Sequence, residues 1–281
     1  MAVAALAAAL LTSDLGATSA VLESTAGASL GVTTRGSCTA GTPYATAMST
    51  PALNPTVWWR MGVTGNPTTI PDSSGNGNTA RRRGSGLTFG TANAGLIACD
   101  TTYSMNQPGA ANSTGFITTQ AAITSPTTFT IATWVRTTAL TGGRVLGFSR
   151  SATGNSSTHD RALLLDTAGR VVFHVRTSTG NLLLTSPASV ADGNAHLLTG
   201  TLSGGTARLY VDGVQVATNL VPITLGAAYT GYWRAGRDNN VAALIPGSRN
   251  QAATRQDEVA IWTGRALTPA EIDQLWRANH W

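Results

Sequence analysis

The sequence predicts an all-β domain closed by one short C-terminal helix. Three observations carry this. Short β-branched and aromatic runs separated by turn residues recur from Thr56 onward. An Asp212-Gly213 hairpin signal interrupts one of them, and the one strongly specified helix follows the last strand. Many strands at short spacing, with no helix until the end, define a sandwich or barrel rather than a parallel α/β sheet.

The clearest strands are "VWWRMG" (57–62), "FTIATWVRT" (129–137), "GRVLGFS" (143–149), "RALLLDT" (161–167), "RVVFHVRT" (170–177) and "AHLLTGTL" (195–202). "TARLYVDGVQVAT" (206–218) reads as a hairpin, because Asp-Gly tolerates the positive φ of a type I′ turn. Ala207, Leu209 and Val211 before the turn, and Val214 and Val216 after it, keep the period-two pattern. In "DEVAIWTGRALTPAEIDQLW" (257–276) a strand hands over to a helix. Thr268 is placed as N-cap, Pro269 as first helical residue and Glu271 as the return arm of a capping box, with Leu267 and Ile272 as a hydrophobic staple. Ile272, Leu275 and Trp276 form one apolar stripe, so the helix lies on a surface. No repeat of solenoid length is visible.

Composition narrows the function classes. Of 281 residues 42% are hydrophobic, ample for a core, and only 11% are charged. The chain contains no lysine; all 18 basic residues are arginine, and the net charge is +5. The one dense basic run is Arg81-Arg82-Arg83, which reads as a solvated strand end; contact with an anionic surface polymer is the alternative. Nucleic-acid binding would need a longer basic stripe with interleaved aromatics. His159, His174, His196 and His280 have neither zinc-ligand spacing nor cysteine neighbours.

The N-terminus reads as an export signal. "AVAALAAALL" (2–11) is as long as a signal-peptide core and too short to span a bilayer. Small residues follow at 17–20, although no basic residue precedes the run and the first arginine is Arg35. The signal is therefore atypical, or the true start lies upstream. No later stretch is apolar enough for a membrane span. The expected organisation is an export segment at 1–20, a Thr/Ser/Ala/Gly-rich extension or linker at 21–52, and a β-sandwich at 53–281. In an exported chain Cys38 and Cys99 most simply form one disulfide; the alternative is two separate thiols.

"PTVWWRMGV", "DSSGNGNTA" (72–80), "FTIATWVRT", "LYVDGVQVAT" and "DEVAIWTGRALTPAEIDQLW" occur in this order. Together they resemble a laminin-G-like domain of the concanavalin A-like lectin/glucanase superfamily, in the form common in bacterial secreted proteins. The resemblance covers residues 53–281 and implies a jelly-roll sandwich of two antiparallel sheets, with the last strand beside an early one. The helix then becomes a lid over an edge or end of the sandwich. "GATSAVLESTAGASLGVTTRG" also resembles bacterial surface proteins with a specialised export signal.

Catalysis finds little support. A glycosidase needs two carboxylates about 5–10 Å apart, and glucanases of this superfamily carry theirs alternating on one strand. The glutamates here are Glu23, Glu258 and Glu271, and no strand alternates acids. Asp257 and Glu258 are adjacent, so regular pleating points them to opposite faces. "GASLG" (27–31) lacks the strand and helix of a nucleophile elbow, and a P-loop needs a lysine. Metal binding has two readings. In "DSSGNGN", Asp72, Asn76 and Asn78 either close an Asx turn or aim oxygens at Ca²⁺. The resemblance implies a structural calcium between an early loop and the last strand, which makes Asp72 and Asp257 candidates to share it. For ligand contact the candidates are Trp134, opposite in face to Phe129, Ile131 and Val135, and Tyr232, Trp233, Arg237 and Asp238 in "YTGYWRAGRDNN" (229–240). The alternative for these tryptophans is core beneath loops.

The sequence thus points to an exported, non-catalytic domain, secreted or at the cell surface, that recognises a glycan or a surface protein. A structural appendage subunit that packs against its own copies is the second reading, and a glycan-cleaving hydrolase the third. One mass measurement tests the expected processing. Secreted protein should lack residues 1 to about 20. Denatured without reductant, it should take up no alkylating agent, because a Cys38–Cys99 bond closes a loop of about 60 residues worth roughly 4 kcal/mol. A mass beginning at Met1, or two alkylated thiols, counts against the corresponding expectation.

Overall fold

The computed structural model describes residues 43–90, 92–156 and 158–279 and, ahead of them, the backbone of two strands. Those strands, β1 (Ala20–Glu23) and β2 (Ser29–Val32), pair antiparallel within a unit of their own. The apolar run 2–11 and Cys38 lie outside the described residues.

The main unit starts with helix α1 (Pro43–Met48) and strand β3 (Val57–Trp59). It continues through β4 (Thr69–Ile70), β5 (Ala80–Arg83), β6 (Met105–Pro108), β7 (Phe116–Thr118) and β8 (Ile123–Thr124). Next come β9 (Phe129–Arg136), β10 (Gly143–Ser149), β11 (His159–Leu165), β12 (Arg170–Thr177) and β13 (Gly180–Ser189). β14 (Ala195–Ser203), the hairpin β15 (Thr206–Val211) and β16 (Val214–Thr218), and β17 (Thr230–Gly236) follow. A one-turn helix α2 (Val241–Leu244) precedes β18 (Ala253–Thr263) and the C-terminal helix α3 (Pro269–Arg277).

Two antiparallel sheets form a sandwich. One has nine strands in the order β13-β12-β11-β10-β17-β7-β5-β4, with β8 added on β17. The other has seven, in the order β16-β15-β14-β9-β18-β3, with β6 added on β18. The last strand does lie beside an early one: Val259 is opposite Trp59. Between the sheets Phe129 packs against Phe173 and Trp233, with ring centroids 6.1 and 5.6 Å apart. Gly200 lets the sheets close here, since a Cβ at that position would lie 2.7 Å from the Phe173 ring.

Both outer faces are covered as well. Across the seven-stranded sheet, Trp58, Trp134, Tyr210 and Trp262 pack with Tyr44 and Met48 of α1 and Ile272 and Leu275 of α3. Residues 43–53, at the end of the stretch read as a linker, thus fold onto this sheet, and Leu53 is buried with them. On the nine-stranded sheet Ala162, Leu164 and Val172 lie under Val241 and Ile245. This explains the burial of β9, in which only Arg136 is exposed. A strand covered on both faces has no reason to alternate polar residues.

The turn and cap chemistry reads as the sequence predicts. Asp212 and Gly213 have φ of 53° and 81°, as a type I′ turn requires. Thr268 caps α3: its hydroxyl accepts the Glu271 N–H at 3.3 Å, and the Glu271 carboxylate accepts the Thr268 N–H at 2.8 Å. Two short helices, α1 and α2, were not legible as periodic patterns. Thr268→Ala is expected to cost about 1 kcal/mol, a fall of about 2–4 °C in melting temperature for a domain of this size. Calorimetry showing no change would mean that packing alone holds α3.

Candidate cation centre and binding cleft

The carboxylates of β18 do not obey the alternation that the sequence implies. The β18–β9 register runs Asp257 opposite Trp134 and then Ala260 opposite Ala132, so β18 carries one extra residue. Glu258 takes up the bulge with a left-handed φ of 50°. Its side chain therefore turns to the same outer face as Asp257 instead of the opposite one. Asp100, from the segment between β5 and β6, completes a group of three acids whose oxygens lie within 4.8 Å of one another.

Each acid is held by donors. Asp257 accepts the N–H groups of Leu96 and Glu258, both at 2.9 Å. Glu258 accepts the Trp58 indole N–H and, at 3.1 Å, the Arg60 guanidinium. Asp100 accepts the Thr102 N–H at 2.8 Å with one oxygen, while its other oxygen has no hydrogen-bond partner. Burial, reinforced by Glu258, pushes the Asp257 carboxyl well above the usual range. Burial likewise pushes Glu258 up to about 7, against the opposing pull of Arg60. Burial and the charge of Glu258 also raise the Tyr44 phenol, which packs edge-on against Trp134 at 6.0 Å. Three carboxylates beside one directly paired arginine leave excess negative charge, and the donors are all oxygen. That donor set fits a hard divalent cation such as Ca²⁺.

The partners of Asp257 differ from the expected ones. Asp72 does not belong to its group. Asp72 instead closes its own turn, accepting from Trp58 N (2.9 Å), Ser74 N (3.0 Å), Ser74 Oγ (2.8 Å) and Asn78 N (2.7 Å). The Asn76 and Asn78 amides donate to Pro55 O at 3.0 Å and Thr56 O at 2.8 Å. The acidic loop and the last strand communicate through Trp58, whose backbone bonds Asp72 and whose ring bonds Glu258.

The expected aromatic platform is interior. Trp134 is 0% and Trp233 1% exposed, the first beneath α1 and the second between the sheets against Phe148 at 5.0 Å. A buried ring offers no face to a sugar. Asp238 is also buried; it pairs with Arg144 and Ser149 and accepts Asn239 N at 2.8 Å. Tyr232 and Arg237 are half-buried, and Arg237 reaches Asn155. On the outer face of a two-layer sandwich Trp134 would meet water; here α1 covers it.

The polar surface is found elsewhere, where β9, β18 and β6 run side by side. There a cleft of about 360 Å³ is lined by Asn106, Arg136, Thr137, Thr138, Thr254 and Arg255, among others. Arg136 and Arg255 are directly opposed across β9 and β18, and Asn106 is opposite Arg255 on β6. Sequence reasoning missed this row and Asp100. Asp100 carries no sequence signal, and the arginines become neighbours only once β9 and β18 are known to pair.

A sandwich of two antiparallel sheets with polar clefts defines the concanavalin A-like class of fold. A family model for the concanavalin A-like lectin/glucanases superfamily matches residues 108–273, more than half of the chain, and the chain belongs to that superfamily. No curated protein matches it. Among solved structures it is similar to the binding domain of Paraclostridial Mosquitocidal Protein 1, at 15% identity and a TM-score of 0.57, over 80% of this chain and 52% of that one. The binding domain of Botulinum Neurotoxin DC in complex with SialylT gives 12% identity and a TM-score of 0.54, over 81% of this chain and 52% of that one. The same domain with rat synaptotagmin II gives 11% and 0.51, with the same coverage. This chain thus spans about half the length of those domains, and the likeness is one of fold.

The raised carboxylates set the sign of a pH dependence. Glu258 keeps in the folded state a proton that the unfolded chain releases, so stability falls as pH rises from 4.5 to about 7. A bound divalent cation favours the ionised form of Glu258 and so offsets that loss above the window. A chelator is therefore expected to lower the melting temperature at about pH 8 and to leave it unchanged at about pH 5. Glu258→Gln should flatten both responses. Melting curves at the two pH values, with and without chelator, decide it; equal curves throughout would mean the acids hold no ion.

Proposed function

We propose that the chain is an exported, non-catalytic recognition domain, secreted or at a bacterial cell surface, whose ligand is a glycan or a surface protein. The observation that carries the reading is the cleft over β9, β18 and β6, an open surface of guanidinium, amide and hydroxyl groups. Such groups hydrogen-bond a polyhydroxylated ligand without apolar anchors. The similar solved structures are themselves named as binding domains, one in complex with SialylT and one with synaptotagmin II. Hydrolysis is disfavoured because Asp257 and Glu258 are both 0% exposed and bonded to the fold. Ca²⁺ in this reading is structural: Asp100, Asp257 and Glu258 would hold it, and it would brace the segment after β5 against the last strand.

Self-assembly as an appendage subunit has one observation in its favour. Leu220 and Val221, just after β16, are 96% and 73% exposed. A glycan array probed with the purified domain, with and without calcium, tests the main reading. Binding to a defined glycan set is the expected result. Binding to no glycan, together with concentration-dependent oligomers in sedimentation, would transfer the function to assembly.

A further inference from the structure

The register of the seven-stranded sheet contains an electrostatic conflict. Arg136 and Arg255 are direct cross-strand partners, and like charges in that relation repel. Neither forms an ion pair among the described residues, whereas Arg60, Arg144, Arg161, Arg170, Arg265 and Arg277 all do. A chain with few charges has thus placed two cations face to face in a cleft whose lining includes no carboxylate; the acid that acts on Arg255 is the buried Asp257, two residues along β18. Arg255 is half-buried.

Both side chains are nevertheless held in place. Arg136 donates its Nε–H to Gly193 O at 2.6 Å. Arg255 donates from Nε and Nη2 to Ser104 Oγ, at 3.1 and 2.9 Å, and from Nη2 to Ala94 O. These bonds fix the guanidinium planes and leave both terminal nitrogens of Arg136, and Nη1 of Arg255, without a described acceptor. Beside them, Thr254 Oγ1 and Gln107 Oε1 are buried and unpartnered. The free terminal nitrogens of Arg136, with Nη1 of Arg255 opposite, are suited to a planar or tetrahedral anion. The remaining lining is Asn106, Thr137, Thr138 and Gly193, with Pro108, Ala139 and Ala253 as its apolar members. It offers hydroxyls, an amide and backbone but no large apolar pocket for a peptide side chain.

We propose that this cleft binds an acidic saccharide, with the Arg136–Arg255 pair receiving its carboxylate or sulfate group. The proposal rests on the recognition reading above and narrows it to a ligand class. Occupation by the anion relieves the repulsion between the two cations, so ligand binding and sheet stability rise together.

Titration calorimetry on the whole chain tests it with four probes: a trigalacturonate, a sulfated heparin-derived tetrasaccharide, neutral maltotriose and a hexaglutamate peptide. At least one of the two acidic sugars is expected to bind, more weakly as salt increases, and maltotriose at least tenfold less. The trigalacturonate and heparin arms distinguish carboxylate from sulfate. Arg136→Ala, at an exposed position, should weaken the acidic sugar about tenfold or more, with Arg136→Lys intermediate. Its melting temperature without ligand should stay level or rise, which separates loss of binding from loss of fold. Hexaglutamate binding as tightly as the sugar would overturn the proposal in favour of an acidic peptide partner. Failure of both acidic sugars to bind would also overturn it. A neutral glycan bound equally by the native chain and Arg136→Ala would overturn this assignment and leave the recognition reading standing.

Discussion

The insertion of β18 into the middle of the seven-stranded sheet is the constraint on which the rest of the molecule depends. One strand near the chain end pairs with β9 along one side and with β3 and β6 along the other. Its inner face supplies Val259 and Ile261 to the core between the sheets, and its outer face supplies Ala260 and Trp262 to the cluster beneath α1 and α3. The extra residue at Glu258 interrupts this regularity at one point. It costs an unfavourable left-handed conformation for a residue with a Cβ, roughly 1–3 kcal/mol. In return two acids converge where regular pleating would separate them. The acidic group and the arginine cleft are thus successive stations on one strand, Asp257 and Arg255 being two residues apart.

Much of the fold was legible because it rests on local chemistry. The capping box at Thr268 and Glu271, the Asp212-Gly213 turn and the apolar strands each announce themselves within a few residues. Membership of the concanavalin A-like superfamily follows from several such motifs in order. The site was less legible because it depends on register and layering. Alternation along β18 predicts Asp257 and Glu258 on opposite faces, and a single bulge reverses that. Trp134 and Trp233 have the composition of a sugar platform, but Trp134 lies under α1, which carries no periodic signal, and Trp233 lies between the sheets. Asp72 has the sequence of a calcium loop, yet its oxygens are satisfied by the turn it closes. Only the pairing of β9 with β18 makes Arg136 and Arg255 a pair.

The two outer faces manage buried charge differently. On the nine-stranded sheet Asp238 sits among Arg144, Arg234 and Ser149; burial works against its charge, yet the two guanidiniums hold its carboxyl below the usual range. Two guanidiniums face this one carboxylate, so the acid stays ionised and its role is internal. His159 and His174 nearby are lowered mainly by burial, His159 to about 4, and stay neutral at physiological pH. On the seven-stranded sheet the charges are segregated instead, acids at one station and arginines at the next. Segregated charge is what an ion or a ligand from outside can complete, whereas the Asp238 carboxylate is already paired within the fold.

The position of β18 also has a consequence for how the chain comes to be folded. Because β9 lacks its neighbour until residues 253–263 arrive, the seven-stranded sheet stays divided while the preceding chain is synthesised. Its pairings join β3 and β18 across nearly the whole main unit, the kind of distant contact that slows folding. A sandwich built this way closes its seven-stranded sheet only when residues 253–263 join β9 to β3 and β6.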